Sequence, residues 1–230
     1  MPEFIELSKS AVSTAAEVTE SDLALINKQA LVPLKAEDVY VFCVNACDDQ
    51  VDRDFEAFSV QTLKDLTVLF PGRTVIMDHR WSSSNQVARV FDASVAADQD
   101  VHRLRLRCYM IRNSSTQPVI DAINAGILRE VSVGVSVKTA KCSLCGKDYY
   151  GGECLHIAGK VYNGTRAHVI LDGAADAYEL SFVAVPAQRE AGVTKHKRPC
   201  DKQEPQNTDQ QKDAAAKAAR LKIRERLNNL

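Results

Sequence analysis

The chain has 230 residues, 45% of them apolar and 26% charged, with a net charge of -1. That length supports one core-forming domain with appendages, and the charge balance gives no global pull toward nucleic acid or an anionic membrane. No apolar run approaches the ~20 residues that cross a bilayer, and the opening MPEFIELSKS has early acids and no apolar signal core, so synthesis in a cytosol is expected. Seven cysteines, an odd number, argue against a disulfide framework.

Residues 1–35 read as a polar, mildly helical N-terminal extension. Val39 to Val44 is an unbroken apolar run of strand length. Asp52, Arg53, Asp54 and Glu56 then form a charged stretch, read as a solvated turn with internal ion pairs rather than a metal or substrate cluster. Ser59 caps a predicted helix carrying Leu63, Leu66 and Leu69 and ended by Pro71-Gly72. Thr74 to Met77 is a short strand that delivers Asp78 and His79 to its end. Two long strands, Gln86 to Ala97 and Val101 to Ile111, flank an Asp-Gln-Asp turn. In the second, Leu104, Leu106 and Cys108 alternate with Arg103, Arg105 and Arg107.

Pro118 to Ala125 reads as a short helix stopped by Gly126, and Glu130 to Lys138 as a strand. Residues 141–165 form a Cys/Gly/Tyr insert. His168 to Leu171 and Tyr178 to Val185 read as the last strands. A charged, amide-rich linker over 195–210 leads to a helical, basic tail over 211–230. The core from 36 to 194 is therefore mainly β with short helices, and the strand spacing suggests a closed barrel or a sandwich. Cys43, Cys47 and Cys108 read as small buried apolar residues.

Three residues at strand edges are candidates for chemistry: His79, Ser132 and Glu179. A serine hydroxyl becomes a nucleophile when a neighbouring base takes its proton and a third group orients that base. Histidine shuttles protons best near neutral pH. Asp176 and Asp78 lie close by in sequence, but strand alternation turns both to the opposite face. Ser136 and Ser181 fall on the same side as Ser132 and Glu179, respectively. Gly134, two residues after the serine, would let a substrate backbone approach closely.

Met77-Asp78-His79, then Ser132-Val133-Gly134 after a short helix, then Glu179-Leu180-Ser181-Phe182-Val183-Ala184-Val185-Pro186-Ala187 follow one another at separations of about 50 residues. In order and wording these segments, over roughly residues 37 to 190, resemble the prohead (capsid maturation) serine proteases of tailed phages, a family related in fold to herpesvirus assembly proteases. The resemblance implies a closed barrel of that type and a serine endopeptidase with His79 as general base, Ser132 as nucleophile and Glu179 as third member. It implies scaffold and major capsid proteins as substrates, self-cleavage that could remove the tail, and action in the host cytoplasm inside the assembling prohead. A homodimer or higher assembly there is implied too. The oxyanion hole would come from the loop after the nucleophile strand or a nearby arginine, Arg129 being one candidate. The rival reading is a non-enzymatic, zinc-stabilised β-domain that binds capsid or scaffold proteins. Neither reading involves a membrane or a specific nucleic acid.

Cys142, Cys145, Cys154 and His156 follow a C-x2-C-x8-C-x-H pattern. Three thiolates and an imidazole make a closed tetrahedral Zn²⁺ site, so zinc is expected to be structural and coupled to folding of the insert. A closed set leaves no open position for catalysis, which separates the metal from the serine chemistry.

Overall fold

A computed structural model of the protein describes residues 18–194. The expected linker and helical tail, and most of the N-terminal extension, lie outside the described residues.

The described chain is mainly β with a few short helices. In order it runs α1 (Glu20–Asn27), β1 (Val39–Asp48), β2 (Glu56–Phe58), α2 (Val60–Leu69), β3 (Thr74–Met77), β4 (Ala88–Asp98), β5 (Val101–Ile111), α3 (Gln117–Asn124), β6 (Val131–Cys142), β7 (Val161–Tyr162), β8 (Thr165–Arg166), β9 (Val169–Phe182) and β10 (Gly192–Val193). Eight strands form one sheet in the order β10-β1-β5-β4-β3-β9-β2, with β6 on the other edge of β9.

The unbroken apolar run of β1 has a direct cause: both of its faces are buried. Tyr40, Phe42 and Val44 point into the main core with Leu104, Leu106, Leu180 and Phe182. Val39 and Val41 point outward into a second cluster with Phe91, Tyr109 and Ile26 of α1. Thus α1 is part of the domain rather than a detached extension. Its capping box uses Asp22, which accepts from the Thr19 N–H while Thr19 Oγ1 accepts from the Asp22 N–H, each at 3.2 Å. The same Asp22 carboxylate accepts a hydrogen bond from Arg107. Arg107 lies 4.9 Å over the Phe91 ring and is buried. The alternation along β5 was legible, but the arginine face at position 107 is covered by α1 rather than by water.

Among the described residues the closed barrel expected from the sequence is not found. β10 offers two residues, Gly192 and Val193, and both ladder onto β1 at Asn45 and Val44. Among the described residues this edge meets the start of β6 through an isolated bridge between Glu130 and Gly192. The strand is too short to carry a full ladder on its second side.

The helices follow their sequence signals. Ser59 Oγ accepts the Thr62 N–H at 3.1 Å and starts α2, whose Leu63, Leu66 and following Phe70 are fully buried. Gly126, at φ +72°, ends α3 as a residue with a side chain would not readily do. The last two expected strands are instead one, β9, which pairs with β6 along its whole length. Its other edge pairs in parallel with β2 at Val169–Leu171 and with β3 at Glu179–Phe182.

Candidate active site and metal cluster

β9 and β6 have an inner face toward the core and an outer face. Val131, Val133, Val135 and Val137 face inward with Ala174, Ala177, Leu180 and Phe182. Ser132, Gly134 and Ser136 therefore face outward, opposite Ser181, Glu179 and Asp176 on β9. The parallel neighbour β3 sets Ile76 beside Ser181 and Met77 beside Phe182, so the chain leaves β3 at the end of this outer row.

His79 arrives there through two consecutive left-handed residues, Asp78 at φ 55° and His79 at φ 52°. Such a conformation is costly for residues with a side chain and needs support. The Asp78 N–H donates to the Phe182 carbonyl at 2.9 Å, and the His79 N–H donates to Ser181 Oγ at 3.0 Å. Asn85 Nδ2 closes the turn by donating to the Met77 carbonyl at 2.8 Å.

The turn aims the imidazole at a buried carboxylate. His79 Nδ1 lies 2.7 Å from Glu179 Oε1, while the Glu179 side chain is 3% exposed and that of His79 is 42% exposed. The Ser181 hydroxyl donates to Glu179 Oε2 at 2.6 Å. A carboxylate offers only acceptors, so Nδ1 carries the proton in this bond, and in the neutral imidazole Nε2 then keeps its lone pair. A neutral histidine held in that tautomer is prepared to accept a proton through Nε2.

Gly134 sits opposite Glu179 in the ladder. A Cβ at position 134 would lie 2.3 Å from Glu179 Oε1. The glycine therefore makes room for the carboxylate itself, not for a substrate backbone as its spacing had suggested.

His79 and Glu179 are brought together. Ser132 lies on the same face, directly opposite Ser181 in the ladder, whose hydroxyl touches both the His79 backbone N–H and Glu179. Among the described residues no hydrogen bond joins Ser132 to His79. Ser132 also borders a cavity of about 190 Å³ with Asp52, Asp54 and Gln188. The charged stretch near it is an ordered turn: Asp52 Oδ1 accepts from the Asp54 and Glu56 N–H groups at 2.9 Å each. Arg53 spans to the Pro186 carbonyl at 2.5 Å, and among the described residues none of the expected internal ion pairs of this turn is found. Arg129, the arginine candidate for the oxyanion, is exposed.

Strand alternation misplaced one residue. The register shifts between Gly134 and Val135, with Val135 opposite Ala177, so Tyr178 is an extra residue in β9. The bulge returns Asp176 to the same face as Glu179, where Arg73 pairs with it at 2.8 Å. Tyr178 is pushed outward and packs on Trp81 at 5.5 Å between ring centroids. Beside Glu179 these two rings border a groove of about 370 Å³. Sequence reasoning did not find this groove; its one signal was the chain's single tryptophan, Trp81, two residues after His79.

The cysteine insert begins on the last residue of β6. Cys142, Cys145, Cys154 and His156 place their ligand atoms within 4.8 Å of one another. Cys142 Sγ and His156 Nδ1 are 3.6 Å apart, Cys145 Sγ and Cys154 Sγ 3.6 Å, and Cys154 Sγ and His156 Nδ1 3.8 Å. Bonds of about 2.3 Å to sulfur and 2.0–2.1 Å to nitrogen give tetrahedral edges of roughly that length, so this donor set fits a metal ion. Burial opposes ionisation of Cys142, but N–H donors from Cys145 and Leu144 and the neighbouring thiols outweigh it and lower the thiol to about 7. The insert is tied to the domain by the Tyr150 hydroxyl, which donates to Glu56 Oε1 at 2.9 Å. Cys43, Cys47 and Cys108 are all buried, as expected, and Cys47 and Cys108 are free.

Comparison with known protein families, with curated proteins and with solved structures gives no match.

Proposed function

We propose that the chain is a serine endopeptidase in which Ser132 is the nucleophile, His79 its base and Glu179 the acid that orients the base. The observation that carries this reading is the 2.7 Å bond between His79 Nδ1 and Glu179 Oε1, made on the sheet face that also bears Ser132. In this mechanism Ser132 Oγ attacks a peptide carbonyl as its proton passes to His79 Nε2. The imidazolium is stabilised by Glu179 and then protonates the leaving amine. Water deacylates Ser132 with His79 again as base. The two left-handed residues before and at His79 support the reading, since backbone strain of that kind collects at functional sites.

The order and wording of the three segments extend the proposal to phage prohead maturation. Its substrates are then scaffold and major capsid proteins and this chain itself, cut inside the assembling prohead in the host cytoplasm by a dimer or higher assembly. The Cys142, Cys145, Cys154 and His156 cluster takes structural Zn²⁺ in this reading. Its position at the end of the nucleophile strand means that the metal fixes one end of β6 without touching the reaction.

A second reading, a zinc-stabilised capsid or scaffold interaction module without catalysis, draws on the missing bond between Ser132 and His79. Intact-mass analysis of concentrated full-length protein separates the two. The protease shortens its own chain and cuts a peptide library, and Ser132→Ala abolishes both. Identical masses for the two proteins and an uncut library would favour the binding module.

A further inference from the structure

The groove beside Glu179 has no role in the chemistry above. It is bordered by Trp81 and Tyr178, by Arg73, Thr74 and Ile76, and by the uncharged polar residues Ser82, Ser83 and Gln86. At about 370 Å³ it lies within the usual range for binding pockets and exceeds what a small side chain would fill. Glu179 is a shared wall, so a group seated in the groove lies next to the His79 carboxylate partner.

Three features describe the occupant. First, Trp81 is 70% exposed and Tyr178 41% exposed, although both rings are large and apolar. Exposed aromatics are the residues that most often anchor a polypeptide partner. Second, the bulge at Tyr178 is what turns that ring outward, and bulges next to active sites commonly re-aim one side chain. Third, the Thr74 hydroxyl is buried and has no hydrogen-bond partner. The only formal charges on the groove are Arg73, which is paired with Asp176, and Glu179, which is engaged by His79 and Ser181. Neither is free to recognise a charged side chain. A small residue would leave the two rings wet.

We propose that this groove is the main specificity pocket of the protease and that it takes a large apolar side chain, aromatic or long aliphatic, from the polypeptide substrate within two residues of the bond cut. The inference rests on the protease reading above. Trp81 and Tyr178, packed on each other, form one apolar wall for the side chain.

The test digests a proteome-derived peptide library with concentrated full-length protein and maps the residues flanking each cut by mass spectrometry. Wild type is compared with Trp81→Ala and Tyr178→Ala, and melting curves establish that each variant is folded. Ser132 labelling by a fluorophosphonate is measured on the same wild-type preparation. Large apolar residues are expected at one flanking position, enriched roughly tenfold over alanine, a discrimination that hydrophobic pockets reach. That preference should flatten in Trp81→Ala. If Trp81→Ala is poorly folded, Tyr178→Ala carries the same comparison. Cleavage without such a preference, or a preference unchanged in the folded variants, overturns the pocket and leaves the protease reading standing. Neither cleavage nor labelling in wild type overturns both.

Discussion

Replacing Gly134 with alanine places a methyl carbon 2.3 Å from Glu179 Oε1 and 3.1 Å from its Cδ. Ordinary van der Waals contact begins near 3.4 Å, so the carboxylate oxygen must retreat by about 1 Å. It cannot do so freely, because Oε1 is held 2.7 Å from His79 Nδ1 and Oε2 is 2.6 Å from the Ser181 hydroxyl. Overpacking of this kind costs about 1–3 kcal/mol of stability. A displacement of about 1 Å in a catalytic constellation lowers rates by on the order of 10²-fold. Gly134→Ala should therefore lower the urea midpoint and slow fluorophosphonate modification of Ser132, followed by intact mass, by about two orders of magnitude. Adding Glu179→Asp, which withdraws the carboxylate by one methylene, should recover stability but not labelling. Wild-type stability and labelling in Gly134→Ala would refute the assigned role of this glycine.

Ser181→Ala removes the donor to Glu179 Oε2 and the acceptor of the His79 N–H. It leaves a buried carboxylate oxygen unpaired, at a cost of about 1–3 kcal/mol, with slower Ser132 labelling; an unchanged unfolding midpoint would contradict this. Asp22→Ala leaves Arg107, which is 6% exposed, with only the longer 3.5 Å contact to Asp92, and should cost at most about 3–5 kcal/mol in chemical denaturation, a loss that Arg107→Met in the same background reduces. Cys145→Ser should drop bound zinc below one equivalent and speed amide exchange across residues 142–162, with β1 and β5 unaffected; full zinc retention would remove the metal assignment. Burial raises Asp49, but donors from Gln50 and His102 outweigh it and hold the carboxyl below its ordinary value. Its contribution to stability is then complete above an unfolded pKa of about 4 and is lost as pH falls through the lowered folded value. Asp49→Asn should flatten that acid limb, and an unaltered pH profile would show the pair to be inert.

Much of the site could be read from residue order. A strand of four residues ending two positions before His79 was legible, and period two put Ser132 with Gly134 on one face of its strand and Glu179 with Ser181 on one face of theirs; that these faces coincide follows from the β6–β9 ladder. Period two also failed, because the bulge at Tyr178 shifts the parity between Asp176 and Glu179. A bulge is a local backbone event with no reliable residue signature in this stretch. The metal cluster was legible for another reason: ligand spacing is set by coordination geometry, not by distant packing. The burial of Arg107 was not, since it depends on α1, about 80 residues away, and a polar helix of eight residues shows little apolar periodicity. The closed barrel was a matter of strand length at the far end of the domain, where β10 amounts to two residues.

The central claim concerns one oxygen and one imidazole. Peptide mapping of concentrated full-length protein after fluorophosphonate treatment tests it most directly. The account predicts a single stoichiometric adduct on Ser132, lost in Ser132→Ala and strongly slowed in His79→Ala. No adduct on Ser132, or one formed equally fast without His79, would contradict it.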